Sequence, residues 1–502
     1  MMEAYDAIII GAGLGGLITG AKLAKEGKKV LLIEQHYVPG GCASAFKRKD
    51  YTIEIGLHEL GGLQKDDPKV EIFKELSVFD NVEFLRVPEF YRFKNENYDI
   101  VVPDNAQKAM NTFIKYFPEE KKGIRTFFKI ILAVNHEVNK LPQERWKQML
   151  LFPVFPILYP NVVFRMKQKL GMFLDKIIKN PNLKLALVAN LGYYHDNPKT
   201  MSLIYFAVAQ GGYFQGGYFI KGSSQKLSNH LMRFIEKHGG KVILKHLVTQ
   251  ILTENGKAIG VEFKQTRAKT EEKEKIFAKN IVANAAVPNV ANQLLSKKEA
   301  KKLQQKIQEL QPACSLISVY LGFKKPVKEL GNKHYSTIVF DKDVKSLDDM
   351  EANYKGSWDK RIFVFCDYSQ LDSGLAADGK SVGVICTVDY LLNWEHLSKE
   401  EYKAKKDMVA QIFIDRLEKL IPGIRNEIEY YEVATAKTIQ RYTLNPHGTP
   451  YGYAQTPNQA MINRVQVKSP ISNLYFASAW SMPGGGFPGA ILGGYFCAKA
   501  IL

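Results

Sequence analysis

The amino-acid sequence predicts an α/β fold, and three observations indicate it. Residues 5–35 contain a strand, a glycine-rich loop, a helix and a second strand in close succession. Residues 241–286 supply further short apolar runs separated by turns, and residues 474–502 again lead from an apolar run through glycines into a helix. Short, continuously apolar runs that alternate with helices are typical of parallel strands buried on both faces.

The first unit carries a specific glycine spacing. Residues 7–10 form a buried strand that breaks into Gly11, Gly13 and Gly16 in the pattern GxGxxG. In this pattern the first glycine permits a tight turn, the second lets a pyrophosphate approach the backbone, and the third lets the helix pack closely on the strand. The anion lies at the helix N-terminus, where unpaired N–H groups and the helix dipole favour negative charge.

The residues after this loop support a nucleotide site. GxGxxG alone also occurs by chance in loops, but here residues 17–26 indicate a helix, Gly27 ends it, and residues 30–33 indicate the next strand. Glu34 follows about twenty residues after the loop, where an acid accepts hydrogen bonds from a ribose diol. A carboxylate there disfavours a 2′-phosphate. The sequence therefore predicts a bound dinucleotide in a Rossmann-like domain.

Two further glycine-rich stretches extend the predicted site. Pro39, Gly40 and Gly41 form a turn just after Glu34, and IEIGLHELGG occupies residues 53–62. NAD would not need such an extended second contact strip, whereas FAD is long enough to pass these turns. The glycines of PGGGFPGAI at residues 483–491 open a helix whose backbone amides face a polar ligand atom. We therefore expect FAD, with NAD(P)H as a candidate electron donor.

The remaining chain predicts a second domain interleaved with the first. Residues 85–103 alternate apolar and polar side chains, as antiparallel strands do, and residues 106–138 are mostly helical in pattern. Residues 314–323 and 361–366 indicate strands, and residues 402–420 an amphipathic helix. We predict a discontinuous FAD-binding domain at residues 1–84, 216–305 and 437–502, and an α+β substrate domain at residues 85–215 and 306–436.

Composition bounds the partners and the compartment. The 502 residues carry 69 Lys and Arg against 51 Asp and Glu, a net charge of +18 that suits an anionic surface. No zinc-finger spacing or RNA-binding signature organises this charge for nucleic acid, so we expect none to bind. The five scattered cysteines include no CxxC pair and predict a reducing, cytoplasmic location without a metal site. No apolar run reaches the roughly 18 residues that span a bilayer.

Residues 145–179 form the compositional exception. Residues 150–164 are almost wholly apolar, but Pro153, Pro156 and Pro160 exclude one regular helix. Basic side chains flank the run, as in an interfacial anchor beside anionic headgroups: Lys147, Arg165, Lys167, Lys169 and Lys176. The segment is thus predicted to attach the protein peripherally to a membrane. The alternative is a buried, proline-bent connection within the substrate domain.

Several motifs together resemble one enzyme family. They are the glycine fingerprint with Glu34, the Pro-Gly-Gly turn, GLHELGG, FIKGSSQKL, IVANAAVP, TIQRYTLNPHGTPYG and NLYFASAWSMPGGGFPGAILGG. Along nearly the whole chain they resemble the family of phytoene desaturases, carotenoid isomerases and retinol saturases, which are FAD enzymes. The resemblance assigns the family and leaves the substrate open.

The resemblance implies roles for individual residues. Gly11, Gly13 and Gly16 would hold the pyrophosphate and Glu34 the adenosine ribose. Other positions would lie along the cofactor: Gly40 and Gly41 beside it, Val248 at the adenine, Gly56, Leu57 and His58 near the flavin ring, Ser478 and Ala479 near the ribityl chain, and Pro488, Gly489 and Ala490 at the flavin pyrimidine end. Amides at that end would stabilise negative charge on a reduced flavin.

Two positions depart from the family pattern. Many relatives have Arg after the paired glycines where this chain has Cys42, so that contact is missing or comes from Lys47 or Arg48. Many also have an acid after the last strand where Ala479 follows Ser478. The usual contact with the ribityl chain is therefore in doubt, while the backbone donors remain.

The resulting hypothesis is an FAD-dependent oxidoreductase that saturates, desaturates or isomerises C=C bonds of a long apolar polyene, such as a carotenoid or retinoid. His58 and Glu59 are the candidates for acid/base work. On a strand these neighbours would point to opposite faces, so only one would face the ring. The alternatives are a fatty-acid double-bond isomerase, an amine oxidase, which favours an aromatic cage beside the flavin, and a non-enzymatic prenyl-lipid carrier. Carriers of this fold lose the glycine fingerprint.

Overall fold

The computed structural model describes residues 5–142, 145–267 and 272–502. The strands are β1 (Tyr5–Ile10), β2 (Val30–Ile33), β3 (Ala45–Arg48), β4 (Tyr51–Glu54), β5 (Leu60–Gly61), β6 (Phe84–Arg86), β7 (Tyr91–Lys94), β8 (Asp99–Val102), β9 (Gly217–Ile220), β10 (Lys241–Ile243), β11 (His246–Glu254), β12 (Lys257–Gln265), β13 (Glu274–Ala283), β14 (Ser315–Phe323), β15 (Ser336–Val339), β16 (Phe363–Asp367), β17 (Ser381–Asp389), β18 (Ile428–Ala434) and β19 (Leu474–Phe476).

The α-helices are α1 (Leu14–Lys25), α2 (Pro68–Glu75), α3 (Ala106–Tyr116), α4 (Lys121–Asn139), α5 (Arg145–Leu151), α6 (Phe155–Leu158), α7 (Pro160–Val163), α8 (Leu170–Ile177), α9 (Pro181–Leu187), α10 (Leu203–Tyr213), α11 (Gln225–Lys237), α12 (Val287–Asn289), α13 (Lys297–Ile307), α14 (Asp349–Lys355), α15 (Lys399–Leu420), α16 (Ile424–Glu427), α17 (Ala436–Thr443) and α18 (Gly486–Ile501).

The first sheet contains the strands predicted for nucleotide binding. Its order is β10-β2-β1-β13-β12-β11, and β19 pairs with β13. Strands β10, β2, β1, β13 and β19 run parallel, with Ile9 opposite both Leu32 and Val282. The last four residues of β1 and all four of β2 are buried, as their continuous apolar runs predict. The expected α/β fold is confirmed.

A second sheet belongs to the other half of the molecule. Its order is β18-β14-β17-β16-β15-β7-β8, antiparallel except between β15 and β7. One face packs on α15, whose Val409, Phe413 and Leu417 are buried. All strands of the first sheet lie within the segments predicted for FAD binding, and all strands of the second lie within the substrate segments. We retain the two-domain division as a proposal that these positions support.

The third sheet links the two halves. Its order is β5-β9-β6, which brings residues 60–61, 217–220 and 84–86 together. Strand β9 pairs antiparallel with both neighbours, so the chain crosses between the halves here on either side of the long insertion 87–216. This pairing fixes the segment before β5 against the segment before β9.

The predicted apolar segment is a series of short helices. Helices α5, α6 and α7 and a 3-10 turn at Phe152–Val154 follow one another between residues 145 and 163. Proline occupies an N-terminal position in the 3-10 turn, α6 and α7, so each proline starts a new turn, as expected from its missing N–H. No helix in the described residues is both long and apolar enough to cross a bilayer.

The first and last helices pack unusually closely. A Cβ on Gly494 of α18 would lie 2.3 Å from the carbonyl oxygen of Gly15 in α1. The hydroxyl of Thr19 donates to the carbonyl oxygen of Gly494 at 2.8 Å. A Cβ on Gly15 would in turn lie 1.8 Å from the carbonyl oxygen of Ala477, at the end of β19. Glycine at these positions is therefore required by the approach of backbone to backbone.

We expect Gly494→Ala to destabilise the protein, because the methyl group forces α18 away from α1. An overpacked core position of this kind costs about 1–3 kcal/mol. Thermal unfolding followed by circular dichroism should show a lower midpoint than wild type. Gly212→Ala in α10 is the matched control, since its Cβ meets nothing closer than 3.8 Å and alanine favours a helix. Equal midpoints for Gly494→Ala and wild type would contradict the packing argument.

Candidate cofactor and substrate site

The glycine-rich loop has the geometry of an anion site. Gly11 adopts φ +94°, a conformation that side chains disfavour. Helix α1 begins at Leu14, three residues before the predicted start, and no side chain caps its first amides. A Cβ on Gly16 would lie 2.2 Å from the carbonyl oxygen of Gly11. The loop therefore presents unobstructed backbone at the N-terminus of α1.

Asn284, which follows β13, braces this loop. Its Nδ2 donates to the carbonyl oxygen of Gly11 at 3.1 Å. The same Nδ2 would lie 2.9 Å from a Cβ on Gly13. Asn284 lies in the IVANAAVP stretch, but nothing in its residue type or spacing identified it as a site residue. Only the pairing of β1 with β13 places it under the loop.

Glu34 lies at the end of β2, directly beside the loop. Its Oε2 accepts from the backbone N–H of Ala12 at 2.6 Å, and its Oε1 accepts from that of His36 at 2.7 Å. Burial raises the pKa of the carboxyl, and these backbone donors oppose that rise. Each oxygen keeps a further lone pair for a ribose hydroxyl. The carboxylate thus fixes the loop as well as standing where a ribose acceptor is expected.

The second glycine turn lies on the first. The N–H of Gly40 donates to the carbonyl oxygen of Ala12 at 2.8 Å, and Gly40 forms a parallel bridge with Gly13. Gly40 adopts φ +124° and Gly41 φ +59°. A Cβ on Gly41 would lie 3.5 Å from the Cα of Gly13. The two turns therefore lie against each other, and the contact of Gly40 and Gly41 with a cofactor stays a prediction that this arrangement fits.

Strand β11 approaches Glu34 from the other side. The N–H of His246 donates to the carbonyl oxygen of Glu34 at 2.9 Å. Val248, two residues further along β11, is buried in the core of the first sheet. Its expected place near an adenine stays a prediction, supported by this proximity to the acid.

Arg48 does not replace the missing family arginine in this arrangement. Its Nε lies 3.2 Å from Oε2 of Glu432, and its guanidinium covers the ring of Phe46. Lys47 is exposed on the same hairpin of β3 and β4. Cys42 itself is partly buried. Its carbonyl oxygen lies close to Gly56 and would be 2.7 Å from a Cβ added there.

A buried arginine organises the C-terminal loop. Arg464 is fully buried and donates to the carbonyl oxygens of Ala479, at 2.9 Å, and Ser481, at 3.3 Å. It also donates to Oε1 of Gln455 at 3.0 Å. Burial lowers its pKa to about 10, so the guanidinium stays charged at neutral pH. No sequence pattern identified Arg464, which fixes the backbone after β19.

The start of α18 follows this loop. Gly485 adopts φ +61° at the N-cap position, and no side chain caps the helix. Pro488, Gly489 and Ala490 form the first turns, and a Cβ on Gly489 would lie 2.1 Å from the carbonyl oxygen of Gly484. The terminal glycines thus present a second uncapped helix N-terminus. Their predicted contact with a flavin remains a prediction that this geometry fits.

The predicted strand through His58 and Glu59 is wrong. Strand β4 ends at Glu54, and residues 55–59 form an irregular turn before β5. The turn forms because the buried Glu54 carboxylate accepts from the N–H groups of Gly56, at 3.1 Å, and Leu57, at 2.9 Å. Consequently the two neighbours do not alternate between faces, and both line one cavity.

Ser224 and two tyrosines hold this turn against the rest of the molecule. Ser224 donates to Glu54 through both its N–H, at 2.7 Å, and its hydroxyl, at 2.8 Å. The hydroxyl of Tyr368 donates to the carbonyl oxygen of Leu57 at 3.1 Å, and that of Tyr335 donates to the carbonyl oxygen of His58. The turn is thus fixed by residues distant in sequence.

His58 is neutral in this environment. Its Nδ1 lies 3.0 Å from the hydroxyl oxygen of Tyr193, and the rings meet edge to face. Burial lowers its pKa to about 4. The imidazole therefore remains an uncharged hydrogen-bonding group at neutral pH, oriented by Tyr193.

Glu59 is a buried acid with an unpaired oxygen. Its Oε2 has no hydrogen-bond partner. This oxygen lies against Gly217, since it would be 2.3 Å from a Cβ added to that glycine. Burial, together with the nearby carboxylates Asp104 and Glu89, raises the pKa of Glu59 well above its usual value. An ionised carboxylate would leave a buried charge without a donor. Burial therefore favours the protonated form of Glu59, which lines the cavity.

The cavity is large and mostly apolar. Its volume is about 1100 Å³. It begins at His58, Glu59 and residues 484–488, and it follows one side of α18 to the end of that helix. The lining residues on α18 include Pro488, Leu492, Phe496, Lys499 and Ala500. Five tyrosines line other walls: Tyr193, Tyr194, Tyr205, Tyr213 and Tyr451. The sequence showed no such aromatic cluster, because its members come from three separate parts of the chain, at residues 193–194, 205–213 and 451.

The residues fit a flavin dinucleotide. Two uncapped helix N-termini, a buried acid and glycines whose Cβ atoms would collide with backbone are the features that such a cofactor requires. No group of three or more His, Cys, Asp or Glu within the described ranges could hold a metal ion. The five cysteines are all free.

Comparison with known proteins agrees with this geometry. A family model described as flavin containing amine oxidoreductase matches residues 14–502. A chloroplastic prolycopene isomerase 2 from an Oncidium hybrid cultivar is 28% identical over 99% of this chain and 84% of its own. An all-trans-retinol 13,14-reductase from Danio rerio is 27% identical over 100% of this chain and 86% of its own.

Solved structures share the fold. Putrescine oxidase has a TM-score of 0.65 at 14% identity, covering 100% of this chain and 99% of its own. Cyclohexylamine oxidase from Brevibacterium oxydans has a TM-score of 0.61 at 14% identity, covering 99% of both chains. At these identities the likeness concerns architecture alone.

We expect Gly13→Val to abolish nucleotide binding, because the branched side chain fills the space between the loop, Asn284 and the Gly40–Gly41 turn. Denaturing purified wild type should release FAD, identified by chromatography, and the variant should release little. Gly27→Asn is the matched control, since Gly27 adopts φ +73° and its Cβ would meet nothing within 4 Å. Retention of FAD by Gly13→Val, or release of NAD alone from wild type, would contradict this placement.

Proposed function

This chain belongs to the flavin-containing amine oxidoreductase family, and on that premise we propose that it saturates, desaturates or isomerises C=C bonds of a long apolar polyene. Family membership confirms the predicted flavin cofactor and the oxidoreductase class. The observation that carries the proposal is the cavity along α18. Its volume of about 1100 Å³ is at the upper limit of ordinary ligand pockets, and its walls are mainly apolar.

The length of the cavity suits an extended chain. Its lining on α18 extends from Gly486 to Ala500, fourteen residues further along the helix. At about 1.5 Å per residue, this stretch of helix is about 21 Å long. A rod-like polyene fits such a space better than a compact amine does. The two similar relatives named above, an isomerase of prolycopene and a reductase of retinol, also favour a polyene.

The protein's contribution is to hold the cofactor and the polyene beside each other. Gly11, Gly13 and Gly16 with Glu34 would hold the dinucleotide half of FAD, and the first turn of α18 would face its flavin half. Bound FAD supplies the exchange of hydride with a polyene carbon. The apolar walls exclude water, which keeps the exchange between cofactor and substrate. NAD(P)H remains a candidate electron donor.

Glu59 is the better of the two candidates for proton donation. A carboxyl that is neutral at pH 7 can donate a proton to a polyene carbon, and burial of Oε2 leaves the other oxygen as the one that faces the cavity. His58 is neutral and bonded to Tyr193, so we assign it a positioning role beside the flavin. Protonation by Glu59 accompanies hydride transfer in saturation, and its carboxylate accepts the proton in the reverse direction.

Two alternatives remain within the flavoenzyme class. The five tyrosines of the cavity favour an amine oxidase, because aromatic walls stabilise ammonium groups by cation–π contact. The lysines among the lining residues, Lys69, Lys468 and Lys499, favour a fatty-acid isomerase. The prenyl-lipid carrier is the weakest alternative, since this chain keeps the complete glycine fingerprint.

We also propose that residues 145–179 attach the cavity mouth to an anionic membrane. Apolar side chains project from this segment into solvent: Met149, Leu150, Phe152, Ile157, Leu158, Phe164 and Met172. Lys167, Lys169 and Lys176 are exposed on the same segment. Contiguous exposed apolar surface with basic flanks is typical of interfacial anchors. A cytoplasmic, peripherally membrane-bound location is part of this proposal.

The segment contacts the wall of the cavity directly. The hydroxyl of Tyr159 donates to the carbonyl oxygen of Lys140 at 3.2 Å, and Glu137 accepts from the N–H of Val162 at 2.9 Å. Val138, Asn139, Leu141 and Pro142, which surround these contacts, line the cavity. An apolar substrate would therefore pass from lipid into the cavity without crossing water.

We expect Glu59→Gln to lower polyene turnover by about 10²- to 10⁴-fold, because the amide fills the same space but has no acidic proton. Purified protein would be incubated with C40 and C20 polyenes, with oxidised or reduced flavin, and the products separated by chromatography. Flavin absorbance should be unchanged in the variant, and the exposed Glu83→Gln should behave as wild type. Unaltered turnover in Glu59→Gln would exclude Glu59 as the donor, and no polyene product from wild type would overturn the proposed function.

We expect replacement of Phe152, Ile157 and Phe164 by Ser to release the protein from anionic liposomes. These side chains are 72%, 79% and 73% exposed, and their burial in lipid contributes about 25 cal/mol per Å². Phe155 is left intact because it packs against the core. High salt should weaken wild-type flotation without abolishing it, since each basic side chain adds only about 1 kcal/mol. Leu392→Ser with Met408→Ser, exposed elsewhere, should float like wild type, and equal flotation of all three proteins would refute the anchor.

A further inference from the structure

Part of the cavity wall carries a group of polar side chains. Asp67, Lys69, Asn135, Asn139 and Gln215 all line the cavity. Strand β5 connects this region to the reactive end, since Gly62 follows Glu59 by three residues. An extended chain of that length spans at most about 11 Å between Cα atoms. The polar region is therefore within reach of one substrate molecule lying against Glu59.

Lys69 is a buried cation with spare hydrogen-bonding capacity. Its side chain is 7% exposed, and its Nζ lies 2.6 Å from Oδ2 of Asp67. Asp67 also accepts from the N–H of Leu63 at 3.3 Å and from that of Lys69 at 2.8 Å, so its own needs are met. An ammonium group has three N–H donors, and Asp67 is the one described acceptor for Nζ. The remaining donors suit an oxygen atom in the cavity.

The backbone of residues 215–216 is bonded to the turn that contacts Lys69. The N–H of Gly62 donates to the carbonyl oxygen of Gly216 at 3.0 Å. A Cβ on Gly62 would itself lie 3.0 Å from Nζ of Lys69. The side chain of Gln64 further ties the carbonyl oxygen of Gln215 to this turn at 2.6 Å. Lys69 and the chain at residues 215–216 are thus both held at the turn through Gly62.

Asn135 determines which way the neighbouring amides face. Its Nδ2 donates to the carbonyl oxygen of Val208 at 3.1 Å, so its Oδ1 is an acceptor. Gln215, at 3.1 Å, and Asn139, at 3.4 Å, therefore present their NH₂ groups to that oxygen. Their amide oxygens have no donor among the described residues, although the side chains line the cavity.

We propose that Lys69, Gln215 and Asn139 form a subsite for a hydroxyl group at the end of the polyene, an inference that rests on the proposed function. A hydroxyl both accepts and donates, so it accepts from Nζ of Lys69 and donates to an amide oxygen. A carboxylate would bring a second negative charge beside Asp67 and has no proton for the amide oxygens. A hydrocarbon would leave all these groups unpaired, which is unfavourable. The subsite therefore selects a polyene alcohol.

The position of the subsite also sets the direction of binding. Asn139 lies in the same stretch of wall as Leu141 and Pro142, beside the contacts of the proposed membrane segment. The apolar chain would enter first and the hydroxyl would stop near the mouth. The double bonds closest to the hydroxyl would then face Glu59 and the flavin.

The test compares binding of all-trans-retinol, the matching hydrocarbon without oxygen, and all-trans-retinoic acid to the flavin-loaded protein. Tryptophan fluorescence quenching gives the dissociation constants. Wild type should bind the alcohol at least about tenfold more tightly than the hydrocarbon, as a hydrogen bond to a charged donor implies, and more tightly than the acid. Lys69→Met should remove the preference for the alcohol and leave hydrocarbon binding unchanged.

Lys74→Met is the matched control, because Lys74 lies on the same helix α2 with a side chain that is 59% exposed, and it does not line the cavity. If Lys69→Met loses flavin through misfolding, Gln215→Leu replaces it and should also reduce the preference. Equal binding of alcohol and hydrocarbon to wild type, tighter binding of the acid, or a preference that survives both variants would overturn the subsite. Hydrocarbon binding in those cases would leave the proposed function intact, whereas binding of no polyene would overturn both.

Discussion

The close approach of three backbone segments determines the rest of the site. Gly15 of α1, Ala477 after β19 and Gly494 of α18 meet where no Cβ fits. This contact brings the N-termini of the first and last helices to one side of the first sheet. Both helix ends lack capping side chains, so their amides are available to a ligand. Glycine is needed here because helix-to-helix contact at backbone distance leaves no volume for a side chain.

Burial determines the ionisation of the two candidate acid/base residues. His58 and Glu59 occupy one buried turn, yet burial acts on them in opposite senses. Burial lowers the pKa of the imidazole and raises that of the carboxyl, because it disfavours the charged form of each group. Burial consequently favours the neutral form of both groups. A neutral acid beside an apolar cavity suits proton donation to carbon, whereas an ionised one would be paired or solvated.

The membrane segment and the cavity are parts of one arrangement. Proline starts successive short turns between residues 152 and 163, so the apolar side chains cannot form a single buried helix and several project outward. The segment is held by hydrogen bonds to the end of α4, whose final residues line the cavity. Polar groups at that end and apolar walls further in match an amphiphilic polyene entering chain first.

The sequence by itself determined the local features of this protein. The glycine spacing, the acid after the second strand and the apolar runs predicted the α/β sheet, the loop and the cofactor class, because short-range sterics and periodicity decide them. The proline-broken segment was also evident from residue types. Tertiary structure alone decided what depends on distant partners. Glu54 and Ser224 turned the expected strand at residues 55–59 into an irregular turn, which placed both His58 and Glu59 on the cavity. Asn284, Arg464 and the polar region around Lys69 likewise acquire their roles from residues far along the chain, and no local pattern encodes such contacts.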